Sequence, residues 1–551
     1  MSLGHGPQSE DVFRSGSQFC RERLSARSIY ELLYREGHRL FPAEDFADLF
    51  SDIGRNSVPV RIVAVVMVLQ RLEGLSDREA TERFTFDLRW KYAAGGLSYD
   101  APGFVHTVLV DMRARLRRSE RPNRIFETAL SIAQQAGLVG RKRVLDSTPL
   151  YDAVTTQDTV TLIRSAIRSL LSAADADLAM QLRAQCLRDD DYRTPGKPVC
   201  DWQDAAARDA LIDALSRDAY ALLLILDGKT LPVEVAQAAQ LLSTVVGQDI
   251  ECGPDGEFRI VRGVAKERVV STVDPETRHG HKTASRSFDG YKGHIAVDPD
   301  SEIITATEVT AGNASDGSVA AALCPDVFAQ AQAEQKSATP IDAASTAELA
   351  LKSAAEPISS TEESVAPLSV YGDAAYGTSE FVQKLEAVGV EVMVKVAQPS
   401  APSGKYGKDA FAIDLAKRTV RCPAGQLAVI QPSADGGGLA SFGQHCPSCP
   451  LRSQCTDGKR GRHIRIHKDE ATLQKHRHAQ QSPTWKARYR ATRPKVERKL
   501  GHLMQRRHGG RRARMRGRLR VGQDFSMLCA AQNLKRLATL GLRHQAGTWR
   551  V

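Results

Sequence analysis

Arg143-Val144-Leu145-Asp146-Ser147-Thr148 is a short apolar run that stops at an aspartate followed by two hydroxyl residues. A second stretch has the same form, Val370-Tyr371-Gly372-Asp373-Ala374-Ala375-Tyr376, with small residues after the acid. Both read as β-strands ending in a carboxylate. A third acid, Glu497, stands in a strongly basic stretch of helical character near the C-terminus. Two carboxylates at strand ends and one on a helix can hold two Mg²⁺ (or Mn²⁺) ions about 3.5–4 Å apart, an arrangement suited to phosphodiester chemistry. Taken singly, each aspartate reads more readily as a cap or turn residue than as a catalytic one. The fold class that follows is α/β, with strands and helices gathered round the two aspartates.

Charge points to the same kind of partner. The chain has 551 residues, a formal net charge of +10 and a pI near 9.1. Between Lys459 and Arg520 there are 22 Lys and Arg against Asp469, Glu470 and Glu497, so the rest of the chain is net acidic. A block of this kind fits a polyanion, and contacts to roughly 6–10 phosphates would lose about 10³–10⁵ in affinity between 50 and 200 mM salt. The 42% hydrophobic and 25% charged fractions are those of an ordinary globular protein and exclude wholesale disorder. The longest apolar run, Ile62 to Leu69, is far short of the ~20 residues of a membrane span. The start, Met1-Ser2-Leu3-Gly4-His5-Gly6, lacks signal-peptide layout, so cytoplasmic residence is expected.

Residues 1–27 read as an N-terminal arm and 28–120 as a helical DNA-binding domain. Val60 to Leu72 is apolar and ends at Gly74, and Ser76-Asp77-Arg78-Glu79 has capping-box spacing. A third helix is predicted from Phe104 to Leu116. The helix–glycine turn–helix order fits either a helix-turn-helix DNA reader or a small packing bundle. Residues 140–320 form the first part of the catalytic core, with a helical insertion at 158–265 that carries its own apolar stripes. Gly290–Asp298 and Ile303–Thr310 are predicted to pair as a hairpin. An Ala/Ser-rich, flexible insertion is expected at 329–367, the second part of the core at 368–400, and a basic helical part with Glu497 at 461–551.

Cysteines mark a further insertion at 415–460. Cys422, Cys446, Cys449 and Cys455 lie within one 34-residue window, and four thiolates suit a structural tetrahedral Zn²⁺, with His445 as a replacement ligand. A redox-active pair is the other reading of Cys446-Pro447-Ser448-Cys449. In the loop Arg278-His279-Gly280-His281-Lys282, Arg278 and Lys282 either grip a DNA phosphate or cap the sheet. Trp485 and Tyr489 read better as packing residues than as base-stacking ones.

Five motifs occur in order: Asp146-Ser147-Thr148-Pro149, Phe288-Asp289-Gly290-Tyr291-Lys292-Gly293-His294, Gly312-Asn313-Ala314-Ser315-Asp316, Gly372-Asp373-Ala374-Ala375-Tyr376-Gly377 and Tyr489-x3-Arg493-x3-Glu497. With them the chain resembles bacterial insertion-sequence transposases of the DDE type. Residues 38–118 are similar to the helical N-terminal domain of that family, through Glu73-Gly74-Leu75-Ser76-Asp77-Arg78-Glu79 and Asp87-Leu88-Arg89-Trp90. The resemblance implies a ribonuclease H-like core in which Asp146, Asp373 and Glu497 bind two divalent ions. It implies cleavage at terminal inverted repeats and strand transfer into target DNA, by a homodimer that holds both ends of double-stranded DNA in the bacterial nucleoid. Lys292 and Arg493 in the motifs, and Arg498, Lys499, Arg506 and Arg507 after Glu497, are the expected DNA contacts. Where the family usually has Lys or Arg seven residues beyond the glutamate, this chain has Met504. A nuclease without strand transfer, or an inactive transposase-derived repressor, would use the same scaffold.

Overall fold

A computed structural model describes residues 17–51, 53–154, 156–283, 285–337, 366–399 and 404–551. Most of the expected arm at 1–27 and of the insertion at 329–367 lies outside the described residues. The chain is a mixed α/β protein built on one sheet. Its strands are β1 (Lys142–Tyr151), β2 (Arg278–Thr283), β3 (Arg286–Val297), β4 (Ile304–Ala311), β5 (Ser369–Gly372) and β6 (Glu391–Val394). The order is β4-β3-β1-β5-β6: β3 is antiparallel to β1 and β4, whereas β5 and β6 run parallel to β1. β2 forms a hairpin with the first residues of β3.

Alternation along these strands separates two cores. Val144, Ile295 and Val297 face one side, while Leu145, Ala296 and Val370 face the other. The second side is covered by helices Pro325–Ser337 and Ser379–Ala387. On the first side lies helix Arg518–Leu540, with the N-terminal helices beyond it, all in one apolar cluster. Buried Asn533 of that helix accepts from the Ile304 amide at 2.9 Å and donates to its carbonyl at 2.8 Å, fastening it to β4. The expected segments at 28–120 and 461–551 therefore share a single hydrophobic core instead of forming separate ones.

The N-terminal helices include α1 (Val60–Glu73), α2 (Asp77–Phe86) and α3 (Thr107–Arg118). Ser76 caps α2 with the complete capping box read from the sequence. In α1, 12 of 14 residues are buried, the pattern of a helix packed all round. The glycine at its end, Gly74, has φ +68°, and a Cβ there would lie 2.5 Å from the Arg507 carbonyl oxygen, so the residue serves the turn and the close approach of the C-terminal segment together. α2, the helix a helix-turn-helix would offer to the groove, carries Asp77, Glu79 and Glu82 beside Arg78 and Arg83.

Helices Thr159–Ala173, Ala176–Arg183, Ala205–Leu226 and Val233–Asp249 enclose a separate core, as the stripes at 158–265 imply. The cysteine-rich stretch is part of a five-stranded antiparallel sheet from Ala412–Asp414 to His463–Ile466, wider than the 415–460 read from the cysteines. No helix among the described residues is long and apolar enough to cross a membrane.

Candidate active site

The parallel register between β1 and β5 sets the first two acids side by side. Lys142, Arg143 and Val144 pair with Ser369, Val370 and Tyr371, so continuing the register by two residues brings Asp146 level with Asp373. β5 ends at Gly372, which leaves Asp373 just past its end; β1 continues to Tyr151, paired with β3 and bridged at Tyr151 to Arg512. Asp146 thus lies within a strand, not at its end as the apolar run suggested. β3 supplies the pairing for its last five residues, within the stretch Val144 to Tyr151 that reads as a strand.

Each aspartate accepts one local amide bond, Asp146 Oδ1 from Ser147 N at 2.9 Å and Asp373 Oδ1 from Ala375 N at 3.0 Å. Neither bond uses up its carboxylate, and lone pairs remain to spare on each. Those lone pairs meet one cation. Arg493 stands between α4 (Pro483–Thr492) and α5 (Pro494–Leu503). Its Nη2 is 2.9 Å from Asp146 Oδ1 and 3.9 Å from Asp373 Oδ2, and its Nη1 is 3.6 Å from Glu497 Oε1. Nη1 also donates to Asp146 Oδ2 at 3.1 Å, which makes the Asp146 pair bidentate. The guanidinium is only 8% exposed, while Glu497, one turn along on the open side, is 63% exposed.

Tyr489 fixes this geometry. Its hydroxyl donates to the Gly372 carbonyl at 3.2 Å, its ring stacks on Trp485 with centroids 4.9 Å apart, and Lys395 Nζ lies 4.6 Å from the ring centre. Packing, as the sequence suggested, is its role, and it ties α4 to the residue preceding Asp373. Burial, and then the Asp146 charge, raise the Asp373 carboxyl above its ordinary range despite Arg493. Three carboxylates facing one guanidinium leave excess negative charge on hard oxygen donors, a set whose chemistry fits Mg²⁺ or Mn²⁺. Among the described residues no group of three or more His, Cys, Asp or Glu is gathered in metal-holding geometry, neither these carboxylates nor the four cysteines.

Behind Asp146 is a polar layer that carbon and charge patterns had not marked. Ser147 Oγ donates to Asp316 Oδ2 at 2.6 Å, and Lys292 Nζ donates to Asp316 Oδ1 and the Ala314 carbonyl, both at 2.8 Å. Fully buried His294 is 2.9 Å from both the Tyr376 hydroxyl and Thr310 Oγ1. Burial pushes the His294 pKa down, so the ring is neutral, and burial with the Asp316 charge pushes Tyr376 up. Asp316, His294 and Tyr376 all stand in the quoted motifs; the available signal was the motif itself, since β-strand spacing alone cannot show which polar residues meet.

Several expected DNA contacts point elsewhere. Lys499 is 3% exposed, and burial pushes its ammonium down to about 8; it faces the core two residues from Glu497 and cannot reach a duplex. Lys292 is committed to Asp316, and Arg493 to the carboxylates. Arg498, although exposed, pairs with Glu302, and Arg278 donates to the carbonyls of Pro275 and Thr277. Lys282, Arg506 and Arg507 are exposed.

Cys422, Cys446, Cys449 and Cys455 line one cavity of about 20 Å³ together with His445. Burial raises the Cys455 thiol, and the nearness of the other three cysteines adds to it. All four are free thiols, so the Cys446/Cys449 pair is not a disulfide.

The comparisons bear on this geometry. Residues 22–115 match a family described as a transposase domain (DUF772), and residues 421–538 match a family described as a transposase DDE domain. The two matches support an insertion-sequence transposase of the DDE type. The second match contains Arg493, Glu497 and the four cysteines, whereas Asp146 and Asp373 lie outside both. The two aspartates rest on their convergence with Glu497 at one guanidinium. No curated protein and no solved structure matches the chain.

Proposed function

We propose that this transposase cleaves DNA at the terminal inverted repeats of an insertion sequence and joins the freed ends to target DNA. Asp146, Asp373 and Glu497 hold two divalent ions on a ribonuclease H-like core. What carries this reading is the convergence of the three carboxylates, 227 and 124 residues apart in sequence, on Arg493. The mixed sheet supports the core assignment, with Asp146 on its middle strand and Asp373 on the next.

When bound, the ions supply Lewis acidity, lowering the pKa of the attacking water and neutralising charge on the departing 3′ oxygen. The chain's residues set the frame for both reactions. Ser147 N and Arg493 hold the Asp146 carboxylate in one orientation. Tyr489 locks the segment before Asp373, and exposed Glu497 closes the set from the solvent side. In cleavage, water loses a proton and attacks phosphorus, and the phosphorus–O3′ bond breaks to free a 3′-hydroxyl. In joining, that hydroxyl loses its proton and attacks a target phosphodiester in the same in-line geometry, and the target's phosphorus–O3′ bond breaks to free a target 3′-hydroxyl. Lys282, Arg506 and Arg507, exposed at the surface, contact the DNA backbone. Cytoplasmic, nucleoid-associated action as a homodimer follows from the need to hold two ends.

The test is incubation of the full chain with duplex carrying the flanking repeats and Mg²⁺, with products mapped to the nucleotide. Cleavage at the repeat end and joined product support the proposal. Cleavage without joining from pre-cut ends makes the protein a nuclease, and binding without either makes it a repressor.

The four cysteines hold a structural Zn²⁺ in the same proposal, supported by their gathering round one cavity with His445. Sulfur at every position leaves none open for substrate. Roughly one equivalent of zinc should copurify, and chelation should lower the melting temperature without releasing the DNA-end chemistry from its Mg²⁺ requirement. A folded protein with no zinc by elemental analysis would overturn it.

A further inference from the structure

Helices α1 and α3 meet α6 (Arg518–Leu540) at a second cavity of about 20 Å³, lined by arginine and by none of the three carboxylates. Arg71, Arg113, Arg117 and Arg520 surround it with Gln523 and Asp524. Two of the four arginines have acidic partners: Arg71 Nε is 3.0 Å from Asp524 Oδ1, and Arg113 pairs with Asp77. Among the described residues no carboxylate lies within 4.0 Å of Arg117 or Arg520. Arg117 instead donates to Gln523 Oε1 at 3.3 Å. That bond turns the amide so that Gln523 Nε2, on a side chain 8% exposed, has no acceptor. Arg514 packs against the same group, and its buried Nη1 also lacks one.

Every unsatisfied atom here is a donor, and the surplus charge is positive. Buried donors without acceptors are uncommon in folded proteins, and like-charged guanidiniums repel unless an anion lies between them. Burial and the Arg520 and Arg113 charges all depress the Arg117 pKa, in keeping with that repulsion. The volume suits one oxygen atom the size of a water, with half-buried Arg117 and exposed Arg520 at the mouth to take the rest of a larger group. We propose that this cavity is a phosphate-binding site, in which one phosphate oxygen accepts from Gln523 Nε2 while Arg117 and Arg520 pair with the others. A phosphate seated there bridges the N-terminal helices to the C-terminal one. The proposal does not rest on the carboxylate chemistry and survives its failure.

Two sources offer this group, free phosphate and the backbone of a nucleic acid, and two arms separate them. In the first, the full chain is melted in inorganic phosphate and in chloride at equal ionic strength; phosphate should raise the midpoint in a saturable way. The double variant Arg117→Gln/Arg520→Gln should lose that rise, and Gln523→Leu, which keeps every charge, should weaken it. In the second arm, duplex DNA binding is measured against salt. The double variant should lower the slope of log K on log salt by about 0.9 for one lost phosphate contact. A phosphate effect with an unchanged slope assigns the site to free phosphate; a shallower slope assigns it to the DNA backbone. Circular dichroism checks folding, and exposed Arg520→Gln alone serves if the double variant misfolds. No phosphate-specific rise in the wild type and no slope change in a folded variant would overturn the site and leave the cavity to water.

Discussion

Asp146→Asn abolishes DNA-end cleavage and joining, with rates lower by about 10³-fold or more, and leaves DNA affinity within about threefold of wild type. The magnitude follows from the several kcal/mol by which a bound cation stabilises transition-state charge, at about 1.4 kcal/mol per tenfold in rate. The amide keeps the size of the carboxylate and can still accept from Ser147 N, so strand geometry is retained. What is lost is one of three negative charges converging on Arg493. The check is a Mg²⁺ cleavage time course beside a binding curve at the same salt. Wild-type cleavage by a folded Asp146→Asn protein would end the assignment of the site. Asp373→Asn should behave alike, since its carboxylate lies level with Asp146 across the parallel pair.

Arg493→Gln has its largest effect on stability. Asp146 and Arg493 are 13% and 8% exposed, and removing one partner of a buried ion pair typically costs about 3–5 kcal/mol because the other charge stays buried. Asp373, already raised by burial and by Asp146, loses its one counter-charge and should rise further. The sign with pH follows. A carboxyl whose folded pKa is raised holds its proton longer folded than unfolded, so the stability of the variant falls as pH climbs from the ordinary carboxylate range through that higher value. Divalent ions should reverse the loss, because they occupy the ground Arg493 vacates. Urea unfolding of wild type and variant, with and without Mg²⁺, reads this directly. A variant as stable as wild type in the absence of metal would show that the guanidinium does not neutralise the three acids.

The site was legible to the extent that its chemistry is local. Asp146 and Asp373 could be picked out because each follows an apolar strand and precedes small or hydroxyl residues that accept a turn. Tyr489 reads as a packing residue because an aromatic beside another at helical spacing stacks more often than it faces solvent, and it does stack on Trp485. Lys499 illustrates the opposite case. A lysine in a run of basic residues looks solvent-facing, yet two positions from Glu497 on a helix is about 200° of rotation, which turns its side chain into the core. Arg493, expected at DNA from its motif, also turns inward: a motif gives the order of its residues but not which way each one points. Asp316 and His294 stayed without roles because their partners are 169 and 82 residues away.

The capping box at Ser76, the glycine stop at Gly74, the four clustered cysteines and the two strand-borne aspartates are properties of a few neighbouring residues, and so the linear chain determines them. Hydrophobic period and backbone sterics act over one turn or one strand. Only tertiary structure decides that helix Arg518–Leu540 shares a core with the N-terminal helices, or that Arg71 and Gln523 face one cavity. Only tertiary structure sets one guanidinium among three acids, since strand register and helix rotation, not sequence distance, fix which charges meet.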